Sequence, residues 1–136
     1  MGTEILTEIP EAIHEMARRL VRQFHPERII LFGSYARGTA GPDSDADLLV
    51  VMRVEGSRRR KAVEMEHALA GTGLPKDLIL ATPEEVERDR DLPGTLVRQA
   101  LLQGLMLYDR AEGTPEAGTP VGAPSFWSDS DVPFGP

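Results

Sequence analysis

Residues 29–51 constrain the fold more than any other stretch of the chain. An apolar run, Ile29-Ile30-Leu31-Phe32, stops at Gly33-Ser34, and a second run, Leu48-Leu49-Val50-Val51, begins after a loop of small and polar residues. Two apolar runs of this length read as strands. The loop over 33–44 is punctuated by Gly33, Gly38, Gly41 and Pro42 and is too short for a crossover helix, so the strands are expected to pair antiparallel. Asp45 and Asp47 stand at the mouth of the second run. Residues two apart in an extended chain point to the same face, so these carboxylates are held side by side. Two like charges there give a fold nothing. A divalent cation relieves their repulsion, and Mg²⁺ favours such oxygen ligands. The Gly-Ser turn can offer backbone N–H groups and a hydroxyl to phosphate.

A domain to hold this stretch fits within the chain. Its 136 residues suffice for one domain, 40% are hydrophobic and only 5% aromatic, so the core is expected to be aliphatic. No cysteine is present, which excludes disulfides and thiolate chemistry and fits a reducing, cytoplasmic location. The N-terminal residues lack the basic and apolar regions of a signal peptide, and no run reaches a membrane span. A net charge of −7 argues against general nucleic-acid binding, which needs a basic surface.

The remaining pattern alternates helices and strands. Ile9, Ile13, Ala17, Leu20, Val21 and Phe24 recur at helical spacing, predicting a helix over 7–24 with Thr7 as its cap and Pro10 in its first turn. Strands are expected over 28–32, 46–52 and 76–81. A helix over 57–70 places Ala62, Met65 and Leu69 on one face, with Gly71 and Gly73 stopping it. Thr82-Pro83-Glu84-Glu85 opens a short helix. Residues 95–103 form another, with Leu96, Ala100 and Leu101 aligned, before a last strand over 105–108. The expectation is an α/β fold: a small mixed sheet with helices packed on it. Asp77, at the mouth of the third strand, meets Asp45 and Asp47 if strands two and three are neighbours. Residues 1–110 form the domain. Residues 111–136 hold five of the 11 prolines, four of the 13 glycines, four acids and no basic residue, and read as a flexible tail.

At this point the chain resembles the minimal nucleotidyltransferases of the DNA polymerase β-like superfamily. The family pattern is Gly-Ser, ten residues, Asp-x-Asp, then a third acid on a later strand. Here it reads Gly33-Ser34, residues 35–44, Asp45-Ala46-Asp47, then Asp77, within the text GSYARG and SDADLLV. The resemblance spans residues 10–108 and implies the nucleotidyltransferase fold. It implies that Asp45, Asp47 and Asp77 are catalytic and bind metal, with two Mg²⁺ ions and ATP as substrate. It also implies that Gly33 lets the backbone approach the phosphates and that Ser34 contacts them. There is no P-loop.

Other residues carry weaker signals. Arg37 either neutralises phosphate charge or is solvated. Lys76 faces away from Asp77. Tyr35 lines the turn, Asp43 belongs to it, and His14, His25 and His67 show no ligand spacing. Arg58-Arg59-Arg60-Lys61 opposes the helix dipole at a helix start; a solvated face, an acidic partner, a nucleic acid and the triphosphate all compete to explain it. Phe126-Trp127 is a docking motif or an incidental pair.

A chain of this size is expected to leave no room for a domain that grips nucleic acid. The size and motifs look most like the antitoxin of bacterial HEPN/MNT toxin–antitoxin pairs, which implies AMP transfer to a hydroxyl of a helical HEPN-type partner. Two rival readings remain: a non-catalytic module that neutralises its partner by occlusion, and a nucleotidyltransferase acting on a cationic small molecule such as an aminoglycoside.

Overall fold

The computed structural model describes residues 9–111. The expected cap Thr7 and nearly all of the 111–136 tail, with Phe126-Trp127, lie outside the described residues. Helix α1 (Glu11–Phe24) is followed by strand β1 (Arg28–Phe32), a four-residue helix α2 (Ser34–Arg37) and strand β2 (Ala46–Val51). Then come α3 (Arg58–Ala68), β3 (Lys76–Ala81), α4 (Pro83–Asp89), α5 (Leu96–Gln103) and β4 (Leu105–Asp109).

Helix α1 starts later than its periodicity suggests. Pro10 caps it in an extended conformation, and its carbonyl accepts from the N–H groups of Ile13 and His14. Ile13, Met16, Ala17 and Leu20 are buried. His25 closes the helix in the left-handed region, at φ 51° and ψ 53°, and Pro26 then forbids continuation.

The sheet has the order β3-β2-β1-β4. β1 pairs antiparallel with β2, as the short connection predicts, and also with β4. β2 and β3 run parallel. The two central strands are covered on both faces, which is why they read as unbroken apolar runs. Ile29, Leu31, Leu48 and Val50 face α1 and α3. Ile30, Phe32, Leu49, Val51 and Ala81 face α4 and α5. Burying each large aliphatic side chain contributes about 1.5–3 kcal/mol.

Two assignments change. The 33–44 loop contains α2, framed by Gly33 at φ 78° and Gly38 at φ 80°. In α5, Leu96 is exposed, while Val97 and Ala100 meet the sheet. Gly104 then passes so close to β1 that a Cβ there would lie 2.6 Å from Ile30 Cγ2 and 2.9 Å from the Leu31 carbonyl oxygen.

Candidate active site

The parallel pairing of β2 with β3 decides where the acids go. In that register Asp47 stands opposite Asp77, followed on the same face by Leu49 opposite Ile79 and Val51 opposite Ala81. Leu49, Val51 and Ala81 belong to the core formed with Val86 of α4 and Val97 and Ala100 of α5. The two carboxylates therefore lie one pleat beyond the helices that cover this face. Asp45 precedes the strand by one residue and is exposed, Asp77 is exposed, and Asp47 is half-buried.

Burial pushes the Asp47 carboxyl above the ordinary aspartate range, and the charges of Asp77 and Asp45 push it further. The Arg37 guanidinium opposes the shift. The three acids thus share one electrostatic field, and each of the charges in it was visible in the sequence. What sequence reasoning missed is helix α2, which carries Arg37 there. The paired glycines around Ser-Tyr-Ala-Arg were the available signal.

Gly33 is fitted to Asp47 from the other side. A Cβ on Gly33 would lie 2.1 Å from Asp47 Oδ2, and the φ of 78° is one that only glycine adopts readily. The carboxylate therefore rests directly against the Gly33 backbone. Ser34 follows, half-buried, and its hydroxyl makes no hydrogen bond among the described residues. Arg37 is exposed and forms no ion pair among those residues.

The donor set suits a hard divalent cation, being all carboxylate oxygen. Among the described residues, no three His, Asp or Glu side chains are gathered about a common point that could hold a metal ion. Asp45 and Asp77 are at the surface. The residues fit a divalent metal in the kind of donor atom they offer.

The remaining candidates sit elsewhere. Lys76 pairs with Glu66 at 3.4 Å, on the face opposite Asp77. Tyr35 packs against the α1-side core, and Asp43 is an exposed turn residue. The basic cluster starts α3, after the exit of β2, so it lies at the end of the sheet opposite the three acids. Arg58 pairs with Glu85 at 2.7 Å. Lys61 pairs with Glu64 and lies 5.5 Å from the Phe24 ring centre.

The nucleotidyltransferase domain family matches residues 13–103. The chain belongs to that family. The domain is similar in fold to a crystal structure from Sulfolobus solfataricus assigned as a nucleotidyltransferase: TM-score 0.55, 21% identity, 78% of this chain and 85% of that one. It is also similar to a crystal structure of a toxin–antitoxin with AMP-PNP: TM-score 0.53, 25% identity, 73% of this chain and 75% of that one. No curated protein sequence matches the domain significantly.

Proposed function

We propose that this nucleotidyltransferase domain transfers a nucleoside monophosphate, AMP from ATP, to a hydroxyl of a partner protein. The partner is a HEPN-type toxin, and the modification neutralises it. The observation that carries the reading is the set of Asp45, Asp47 and Asp77, without an ion pair among the described residues and at one end of the sheet, with Gly33 fitted against Asp47. The likeness to a toxin–antitoxin structure with AMP-PNP supports the biological setting.

In this reaction an acceptor oxygen forms a bond to the α-phosphorus, and the bond to pyrophosphate breaks. Asp45, Asp47 and Asp77 would hold Mg²⁺, as two ions, which would supply positive charge at the attacking and leaving oxygens. Asp45 and Asp47 would orient the triphosphate through it. Asp77 would help take the acceptor proton. The Gly33 backbone, with no side chain, leaves space for phosphate, and the Ser34 hydroxyl donates to it. Arg37 adds a cation that has no ion pair among the described residues. The exposure of Asp45 and Asp77 leaves access for an acceptor carried by another molecule.

Incubation with α-labelled ATP, Mg²⁺ and a candidate HEPN-type partner tests this. Label should appear on the partner and disappear with Asp45→Asn and Asp47→Asn. Absence of label, or label that survives both substitutions, would sink the proposal. Neutralisation that persists without label points to occlusion. Pyrophosphate release with an aminoglycoside and no protein partner points to a small-molecule substrate.

A further inference from the structure

A second feature of the fold lies on the other face of the sheet. Between α1 and β4 runs an open groove of about 370 Å³. Ala17 and Val21 of α1 and Leu107 and Tyr108 of β4 give it an apolar floor, and Arg18 and Arg22 stand along its rim. Arg18 is held by Glu11 and Glu15. Arg22 has no ion pair among the described residues and is exposed.

The groove is separate from the acids. Tyr108 stands opposite Ile29, which stands opposite Val50, whereas Asp47 stands opposite Phe32. Leu107 packs into the core on the α1 face, while Asp47 faces the α5 side. An occupant of the groove therefore need not touch the nucleotide site.

The chain itself supplies matching chemistry. It leaves β4 at Asp109, next to Tyr108. Residues 112–136 contain four acids and no basic residue. Within them, Phe126 and Trp127 precede, and Val132 and Phe134 follow, Asp129 and Asp131. That is an apolar segment with negative charge, opposite a groove with an apolar floor and a free cation. The 14 residues 112–125 can span at most about 50 Å when extended, more than the groove requires. Tethering gives an effective concentration on the order of millimolar, so modest contacts suffice.

We propose that the stretch 126–134 docks intramolecularly in the α1–β4 groove, with Phe126 and Trp127 on its floor and Asp129 or Asp131 facing Arg22. The chain has a single tryptophan, so Trp127 reports its own surroundings. In the full chain its emission should be blue-shifted and its quenching by acrylamide several-fold weaker than in an isolated 120–136 peptide. Arg22→Glu, at an exposed helix position, should move both readings towards the peptide. Val21→Glu should do so more completely; if that variant fails to fold by circular dichroism, Arg22→Glu decides. Peptide-like emission in the unaltered chain overturns the proposal. So does protection that ignores Arg22→Glu, that appears only as the chain is concentrated, or that needs an added partner protein. No nucleotide enters the measurement, so this proposal stands or falls apart from the transfer reaction.

Discussion

The two ends of the sheet carry the same kinds of side chain and treat them in opposite ways. At the exit of β2 and β3, Arg53 donates to Glu84 and Arg58 to Glu85, each at 2.7 Å. These hydrogen bonds hold both glutamates below their ordinary range. Ser57 and Thr82 cap the helices that start there. At the entry of the same two strands, Asp47 is raised by burial and by Asp77 and Asp45. The exit end pairs its two glutamates with arginines of its own. At the entry end Asp45, Asp47 and Asp77 form no ion pair among the described residues, and this is the feature on which the proposed transfer site rests.

Removing acids at the entry end should break this contrast most sharply. Asp45→Asn and Asp47→Asn should each lower transfer by more than the roughly 10–100-fold typical of outer-shell metal partners. Without metal at neutral pH, Asp47→Asn should nevertheless melt at a higher temperature than the unaltered domain, because the amide carries no repelled charge. Added Mg²⁺ should raise the melting temperature of the unaltered domain by mass action and leave Asp47→Asn nearly unmoved. A lower melting temperature in metal-free Asp47→Asn would make the acid structural instead.

Gly33 tests the same end through space rather than charge. Gly33→Ala combines a disfavoured φ with a Cβ placed 2.1 Å from Asp47 Oδ2. The backbone part alone should cost about 1–3 kcal/mol. The loss in thermal unfolding should shrink in an Asp47→Ala background if the carboxylate contact matters. An equal loss in both backgrounds would leave φ as the whole cause.

At the exit end a comparable probe should act on stability alone. Thr82 accepts from the Glu85 N–H at 3.1 Å, and the Glu85 side chain accepts from the Thr82 N–H at 3.0 Å, a complete capping box. Thr82→Ala should cost about 1 kcal/mol in chemical denaturation. Metal-induced stabilisation should be unchanged, since the box lies away from the acids.

That capping box was legible because it is local: Thr-Pro-Glu-Glu specifies its own start. The third strand was legible for a related reason, its apolar run being bounded by Pro75 and Thr82. The convergence of Asp77 with Asp47 was not, since it depends on which strands are neighbours, a choice made by packing over long sequence separation. Helix α2 escaped because four residues are too few to show a period. In α5, eight residues allow two apolar stripes, and the sheet selected Val97 and Ala100 over Leu96. The basic run 58–61 looked unexplained partly because two of its contacts are distant in sequence: Glu85 for Arg58 and, besides the nearby Glu64, the Phe24 ring for Lys61.

The smallest effects sharpen the comparison by their sign. Asp47 has a raised pKa in the fold, so the folded state binds its proton more tightly than the unfolded chain does. Stability therefore falls as pH climbs from the ordinary aspartate range through the raised value, and the penalty is complete above it. Glu84 has a lowered pKa in the fold. Its contribution is complete above the ordinary glutamate range and is lost as pH falls through the depressed value. In metal-free buffer at neutral pH, Asp47→Asn should be more stable than the unaltered domain. Glu84→Gln should be slightly less stable, and only slightly, because the Arg53 pair is exposed and screened by salt. As the buffer is made acidic, the two variants should approach the unaltered domain from opposite sides. Denaturant titrations at a series of pH values measure this. If both variants deviate in the same direction, the two ends of the sheet do not differ in the way their ion pairs indicate.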